Sequence, residues 1–183
     1  MATPTSLPAT FVAGNVLTAA QMNNLRGAFR ILQVVSTTKT DTYSESLASG
    51  AVSASNITGL TASITPASSS NKVLIFVQIT GGSSGDQIVA GQIFRDSTAI
   101  AIGDAASNRT SLSAFQHGDF QMSNISMSFL DSPATTSAIT YGFRIFNGGA
   151  VTRTMYVNRG GTDSDLSYYG RSASTITVME VSA

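Results

Sequence analysis

At 183 residues the chain is long enough for one domain with a substantial core and a short appendage. Ten basic residues balance ten acidic ones and charged residues make up only 11% of the sequence, so there is no basic block of the kind that displaces counterions from nucleic acid. The absence of cysteine excludes disulfides, thiolate catalysis and zinc–thiolate sites, so stability outside a cell would have to come from packing or oligomerisation.

Twenty-seven serines and 22 threonines solvate the surface without charge, and threonine also suits the pleated surface of a sheet. Such a composition fits a robust extracellular β-protein better than a cytosolic enzyme. The sequence shows no basic segment followed by an apolar run at its start and no stretch of 18 apolar residues. Neither a signal peptide nor membrane insertion is therefore expected, and any route out of the cytoplasm in which the protein is assembled would need lysis rather than secretion.

Residues 1–30 are expected to form an N-terminal arm and short helix, and residues 31–183 the main domain. Pro4 and Pro8 among small residues favour an extended segment over 1–16. Thr18 and Gln21 then have the spacing of a capping box, and Leu17 and Met22 that of a hydrophobic staple. Met22, Leu25 and Phe29 fall on one face at helical spacing, which predicts an amphipathic helix over 18–29. So short a helix is marginal alone and needs a surface, either its own β-body or another chain. Leu17, Met22, Leu25 and Phe29 are the candidate partner-docking residues.

Beyond this point nine apolar runs have strand length and are bounded by Gly, Ser, Asn or Asp: Ile31–Thr37, Ile57–Ile64, Lys72–Thr80, Gln87–Arg95, Thr98–Ile102, Ser123–Leu130, Ala138–Phe146, Thr154–Asn158 and Ser174–Val181. Strands at this density predict an all-β fold, an antiparallel β-sandwich or jelly roll, and no helical period interrupts them to suggest a parallel α/β fold. Ile125, Met127 and Phe129 alternate with Asn124, Ser126 and Ser128, the pattern of a strand buried on one face and wet on the other. Val73 to Val77 are apolar at consecutive positions, which predicts cover on both faces of that strand: the opposite sheet on one side, a neighbouring subunit or the N-terminal helix on the other. Gly142 inside a strand is expected to mark a bulge rather than a close approach.

The catalytic inventory is thin. His117 is the only histidine and is expected in a "QHGDF" loop, and no G-x-S-x-G elbow is present. Asp96, Asp104, Asp119 and Asp131 are scattered, so paired carboxylates for glycoside cleavage are not indicated. Asp163 and Asp165 in "GGTDSD" offer calcium two carboxylates without the rest of an EF-hand pattern, and a solvated turn is the simpler reading. "GGSSG" at 81–85 reads as a hairpin loop rather than a phosphate cradle. No enzyme activity, cofactor or metal is expected.

Three segments carry a resemblance. "FVAGNVLTAAQMNNL" (Phe11–Leu25) resembles an N-terminal motif of phage tail and virion structural proteins. "SITPASSSNKVLIFVQITGG" (Ser63–Gly82) resembles a strand, loop and strand of phage fibre-tip and decoration proteins, and "SASTITVMEV" (Ser172–Val181) resembles their terminal strand. The resemblance implies a jelly-roll-like head assembled as a homotrimer, comparable to tumour-necrosis-factor-like and complement-type heads. It also implies a place on the virion surface, with the major capsid protein or a tail component as partner. A non-enzymatic capsid decoration or cement protein is the leading expectation, ahead of a tail-fibre head or receptor-binding module, because no shaft repeat is visible. A depolymerase is the least favoured.

Overall fold

The computed structural model describes Gly14, Val16, Thr18, Ala19 and residues 31–85, 88–117 and 122–182. Apart from Thr18 and Ala19, the helix expected over 18–29 lies outside the described residues, as do Leu17, Met22, Leu25 and Phe29.

Every regular element in the described body is a strand, and the strands form two antiparallel sheets. In chain order they are β1 (Ile31–Lys39), β2 (Tyr43–Leu47), β3 (Thr61–Ile64), β4 (Lys72–Ser83), β5 (Ile88–Arg95), β6 (Thr98–Ile100), β7 (Ala114–His117), β8 (Ser123–Asp131), β9 (Ile139–Ile145), β10 (Arg153–Val157) and β11 (Ser174–Val181). The larger sheet is organised by β4, which is long enough to pair with three neighbours. One edge of β4 takes β11 along Lys72–Gln78 and then β10 along Gly81–Ser83, while the other edge takes β8. Beyond β11 lies β1, and beyond β10 lies β2. The smaller sheet runs β3, β9, β5, with β6 and β7 in succession on the far edge of β5.

Alternation decides which side chains meet. Val73, Ile75, Val77 and Ile79 of β4, with Ile176 and Val178 of β11, point inward and join Ile93, Tyr141 and Phe143 of the smaller sheet in one buried cluster. Removing this much branched aliphatic and aromatic surface from water is the main force holding the sheets together.

Each of the nine expected runs contains a strand, but the boundaries differ for physical reasons. Of Ile57–Ile64 only the last four residues are strand, because Ile57 and Leu60 are fully buried as plugs from a loop. "GGSSG" is not a free hairpin loop: Gly81, Gly82 and Ser83 continue β4 and are buried. Glycine is required at position 81, since a Cβ there would stand 2.1 Å from the Tyr156 carbonyl oxygen. Gly142 is no bulge either, for it pairs in unbroken register with Thr61 and Phe94. It marks a close approach instead, its missing Cβ leaving room for the Asn56 side chain.

Candidate functional site

The polar groups of the interior are built into the fold. Asp131, at the end of β8, accepts bonds from Arg95 Nη1 at 3.0 Å (Oδ1) and 2.9 Å (Oδ2) and from Tyr141 Oη at 2.7 Å, so one carboxylate ties the two sheets together. Burial, then the hydrogen bond and charge of Asp131, push the Tyr141 hydroxyl well above its ordinary value. At the same end of the larger sheet the fully buried Glu180 accepts from Ala67 N (2.7 Å), Asn71 Nδ2 (2.5 Å) and Gln33 Nε2 (2.6 Å), which pins the loop leading into β4. Glu45 on β2 accepts from Tyr43 Oη at 2.7 Å and Ser53 Oγ at 2.5 Å, and burial raises the Tyr43 hydroxyl to about 12.

Two asparagines serve as backbone knots. Asn158, buried with φ 64°, donates through Nδ2 to the carbonyls of Lys39 and Asp41 and accepts from Ser174 Oγ. Asn147 donates to the carbonyls of Leu47, Ala48 and Val151 and accepts from Gly149 N. Such satisfied networks specify a structure rather than perform chemistry.

The sequence-predicted chemical candidates are not brought together. His117 stands exposed at the end of β7, paired with Ile88, rather than in a loop. Asp96 occupies the β5–β6 turn and accepts from Thr140 N, Asp131 is engaged with Arg95, and Asp119 lies outside the described residues. Asp163 receives both Arg159 (3.0 Å) and Arg171 (2.7 Å) on Oδ2, so two guanidinium groups meet its charge from within the chain and clamp the loop between β10 and β11. Among the described residues no cluster of three or more His, Asp or Glu is arranged for a metal ion, and no helix is long and apolar enough to cross a membrane.

What the body does present is a surface. On the outward face of the larger sheet, cross-strand pairing aligns Val34, Met179, Leu74 and Leu130 in one row across β1, β11, β4 and β8. Phe76 sits in the next row between Thr177 and Ser128. Val34 is 54% exposed, Phe76 43% and Leu130 47%, so the second cover expected for the Val73–Val77 run is not supplied by the described residues. Beyond Phe76 the face turns polar, and a shallow concavity of about 350 Å³ opens at this boundary, lined by Phe76, Val77 and Met127 together with Gln78, Ser126, Ser128 and Thr175. Apolar side chains aligned across four strands are unusual on a sheet face left to water. Composition pointed to such a surface only through the consecutive apolar run of β4, since Val34 and Leu130 look like ordinary core positions until the register is known.

No protein-family model matches the sequence, and no curated protein is detectably similar to it.

Proposed function

We propose that this chain is a non-enzymatic structural protein of a bacteriophage particle, a homotrimeric capsid decoration or cement protein displayed on the virion surface with the major capsid protein as its partner. The observation that carries this reading is the meeting of two segments that resemble phage decoration and fibre-tip proteins. Ser63–Gly82 supplies β4 and Ser172–Val181 supplies β11, and these two strands pair residue by residue from Lys72 with Val181 to Gln78 with Thr175. The resemblance therefore falls on one contiguous unit at the centre of the larger sheet.

Strand order supports a jelly-roll-like body. The sequences β1–β11–β4–β8 in one sheet and β3–β9–β5–β7 in the other are those of two interleaved Greek keys. The non-enzymatic part of the reading is supported by the commitment of Asp131, Glu45 and Glu180 to internal hydrogen bonds.

A tail-fibre head is the second reading, favoured by the loop between β10 and β11, whose tip carries the exposed Leu166 and a Tyr168 that is 74% exposed. Mass spectrometry and electron microscopy of purified particles test both. Density for the body at regular positions on the capsid is expected; density at the tail tip selects the second reading, and absence from the particle overturns both. Light scattering is expected to give three times the chain mass, and a stable monomer at micromolar concentration removes the trimer.

A further inference from the structure

One of the two asparagine knots carries chemistry of its own. Of the nine asparagines in the sequence only Asn147 is followed by glycine. Without a Cβ, Gly148 lets its amide nitrogen approach the side-chain carbonyl carbon of the residue before it, an approach that any bulkier residue hinders. In an open chain the Gly148 nitrogen attacks Asn147 Cγ and a C–N bond forms. The Cγ–Nδ2 bond breaks, and Nδ2 leaves as ammonia with the proton that the Gly148 amide gives up. Water then opens the five-membered imide at either carbonyl, which restores the amide N–H and leaves an aspartate or an isoaspartate at position 147. Water is the only co-reactant, and nothing is oxidised or reduced.

The fold stands against each step. Asn147 is only 1% exposed. Its Nδ2 donates to the carbonyls of Leu47 at 2.8 Å, Ala48 at 3.0 Å and Val151 at 2.9 Å, and its Oδ1 accepts from Gly149 N at 2.9 Å. These four bonds hold the carboxamide in one orientation, so Cγ turns toward a nucleophile only after they break. Burial also closes off the leaving nitrogen from the water that would protonate it. The main chain is fixed as well, since Asn147 N donates to Ala51 O and Asn147 O accepts from Gly50 N, both at 2.9 Å. Local opening therefore has to precede the chemistry.

Neither product fits the knot. An aspartate at position 147 sets a negatively charged oxygen against the carbonyl oxygens of Leu47, Ala48 and Val151 with no hydrogen between them, a buried charge among dipoles of the wrong sign. An isoaspartate reroutes the main chain through Cβ and Cγ, adds one atom to it, and turns the carbonyl that receives Gly50 N into a free carboxylate. We propose that Asn147–Gly148 is a self-modification site which the native network keeps shut, and that a chain deamidated there while open does not return to the native fold. The time the chain spends open thereby sets its working life through a covalent step. The proposal goes beyond the virion reading and does not depend on it.

The full-length protein is incubated at mildly alkaline pH in buffer or in guanidinium chloride, and the tryptic peptide 145–153, which contains no other asparagine, is followed by mass spectrometry. Conversion to the acid is expected to be at least about 100-fold slower in the native protein, because it proceeds only through the open population. After return to buffer, refolded and misfolded chains are separated by size, and the modified peptide is expected to be confined to the chains that fail to refold. Gly148→Ala supplies the control: its Cβ would meet Phe115 Cε2 at 3.0 Å, on a ring exposed enough to give way. This variant is expected to deamidate several-fold more slowly when unfolded and to keep its refolding yield while the parent loses it. Comparable conversion in native and unfolded protein would overturn the protection. An equal share of modified peptide in refolded and misfolded chains would overturn the irreversible step, and so would equal losses of refolding yield in parent and Gly148→Ala. Should Gly148→Ala fold poorly, the partition of the parent's peptide decides between the same outcomes.

Discussion

Tyr141 of the smaller sheet donates its hydroxyl to Asp131 of the larger one at 2.7 Å, and Tyr141 is fully buried. With the Arg95–Asp131 ion pair, that bond joins two layers packed mainly through apolar side chains. Tyr141→Phe keeps the ring and removes the donor, so it is expected to cost about 1 kcal/mol. Asp131→Ala leaves the Tyr141 hydroxyl buried without an acceptor and Arg95 without its carboxylate, and is expected to cost about 3 kcal/mol. Urea unfolding with an unchanged m-value checks both. Equal costs for the two variants would show that Arg95 contributes nothing to the knot.

The same hydroxyl makes the fold sensitive to alkali. Burial first, and Asp131 second, raise the Tyr141 pKa above the ordinary value of 10.0, so the folded protein keeps a proton that the unfolded chain releases. Stability from this site is therefore complete below pH 10 and declines as pH rises through the interval between the unfolded and folded values. Tyr43, raised to about 12, acts in the same direction from a more exposed position. Urea midpoints measured from about pH 9 to about pH 11 are expected to fall in the parent protein and to fall less steeply in Tyr141→Phe. Parallel slopes would place the alkaline sensitivity elsewhere.

Glu180 offers a second test of the buried polar network, on the loop rather than between the sheets. Its carboxylate holds Ala67 N, Asn71 Nδ2 and Gln33 Nε2, and truncation takes this shared acceptor from all three at once. Glu180→Ala is expected to cost about 3 kcal/mol and to speed hydrogen exchange at Ala67 before any change in β4. Exchange that rises equally throughout the sheet would mean that Glu180 supports the whole fold instead of its loop.

Most strands were legible because burial on one face leaves a period of two in the sequence, as in β8, where Ile125 is buried while Ser126 and Ser128 are exposed. β2 was missed because Glu45 occupies an inward position among Tyr43 and Leu47, made tolerable only by the hydroxyls of Tyr43 and Ser53, one of them distant enough in sequence to hide the match. β7 was missed because it is four residues long and its one large apolar residue, Phe115, faces outward. The outward apolar row was half legible: the run Val73–Val77 announced a second covered face, but the alignment of Leu74 with Val34 and Leu130 depends on pairing partners that no local pattern specifies.

Two close glycine contacts in the sheets separate backbone from side-chain constraint. A Cβ at Gly142 meets Asn56 Cγ at 2.4 Å, a side chain that can be removed, whereas one at Gly81 meets the Tyr156 carbonyl oxygen at 2.1 Å, which cannot. Gly142→Ala is therefore expected to destabilise by about 1–3 kcal/mol and to be rescued by Asn56→Gly, with a coupling of at least about 0.5 kcal/mol in the double-mutant cycle. Gly81→Ala is expected to break the pairing of β4 with β10 and to have no single-site rescue. Additive effects of Gly142→Ala and Asn56→Gly would show that the strand shifts to make room.

The last prediction separates the arm from the body. The core cluster is drawn from the body, between Leu47 and Val178, and Val16, the one large apolar side chain described in the arm, is 89% exposed. Residues 1–16 contain few large apolar side chains, so on removing them the free protein is expected to keep its unfolding free energy to within about 0.5 kcal/mol. Under the proposed role the arm is the part that reaches the particle, so the shortened protein is expected to melt like the parent while its occupancy on particles that display the full-length protein falls. Calorimetry of the free protein and quantitative mass spectrometry of the particles give the two numbers independently. Loss of stability in the shortened protein would make the arm part of the core; unchanged occupancy would move the attachment surface to the body, where the exposed loop between β10 and β11 carries Leu166 and Tyr168.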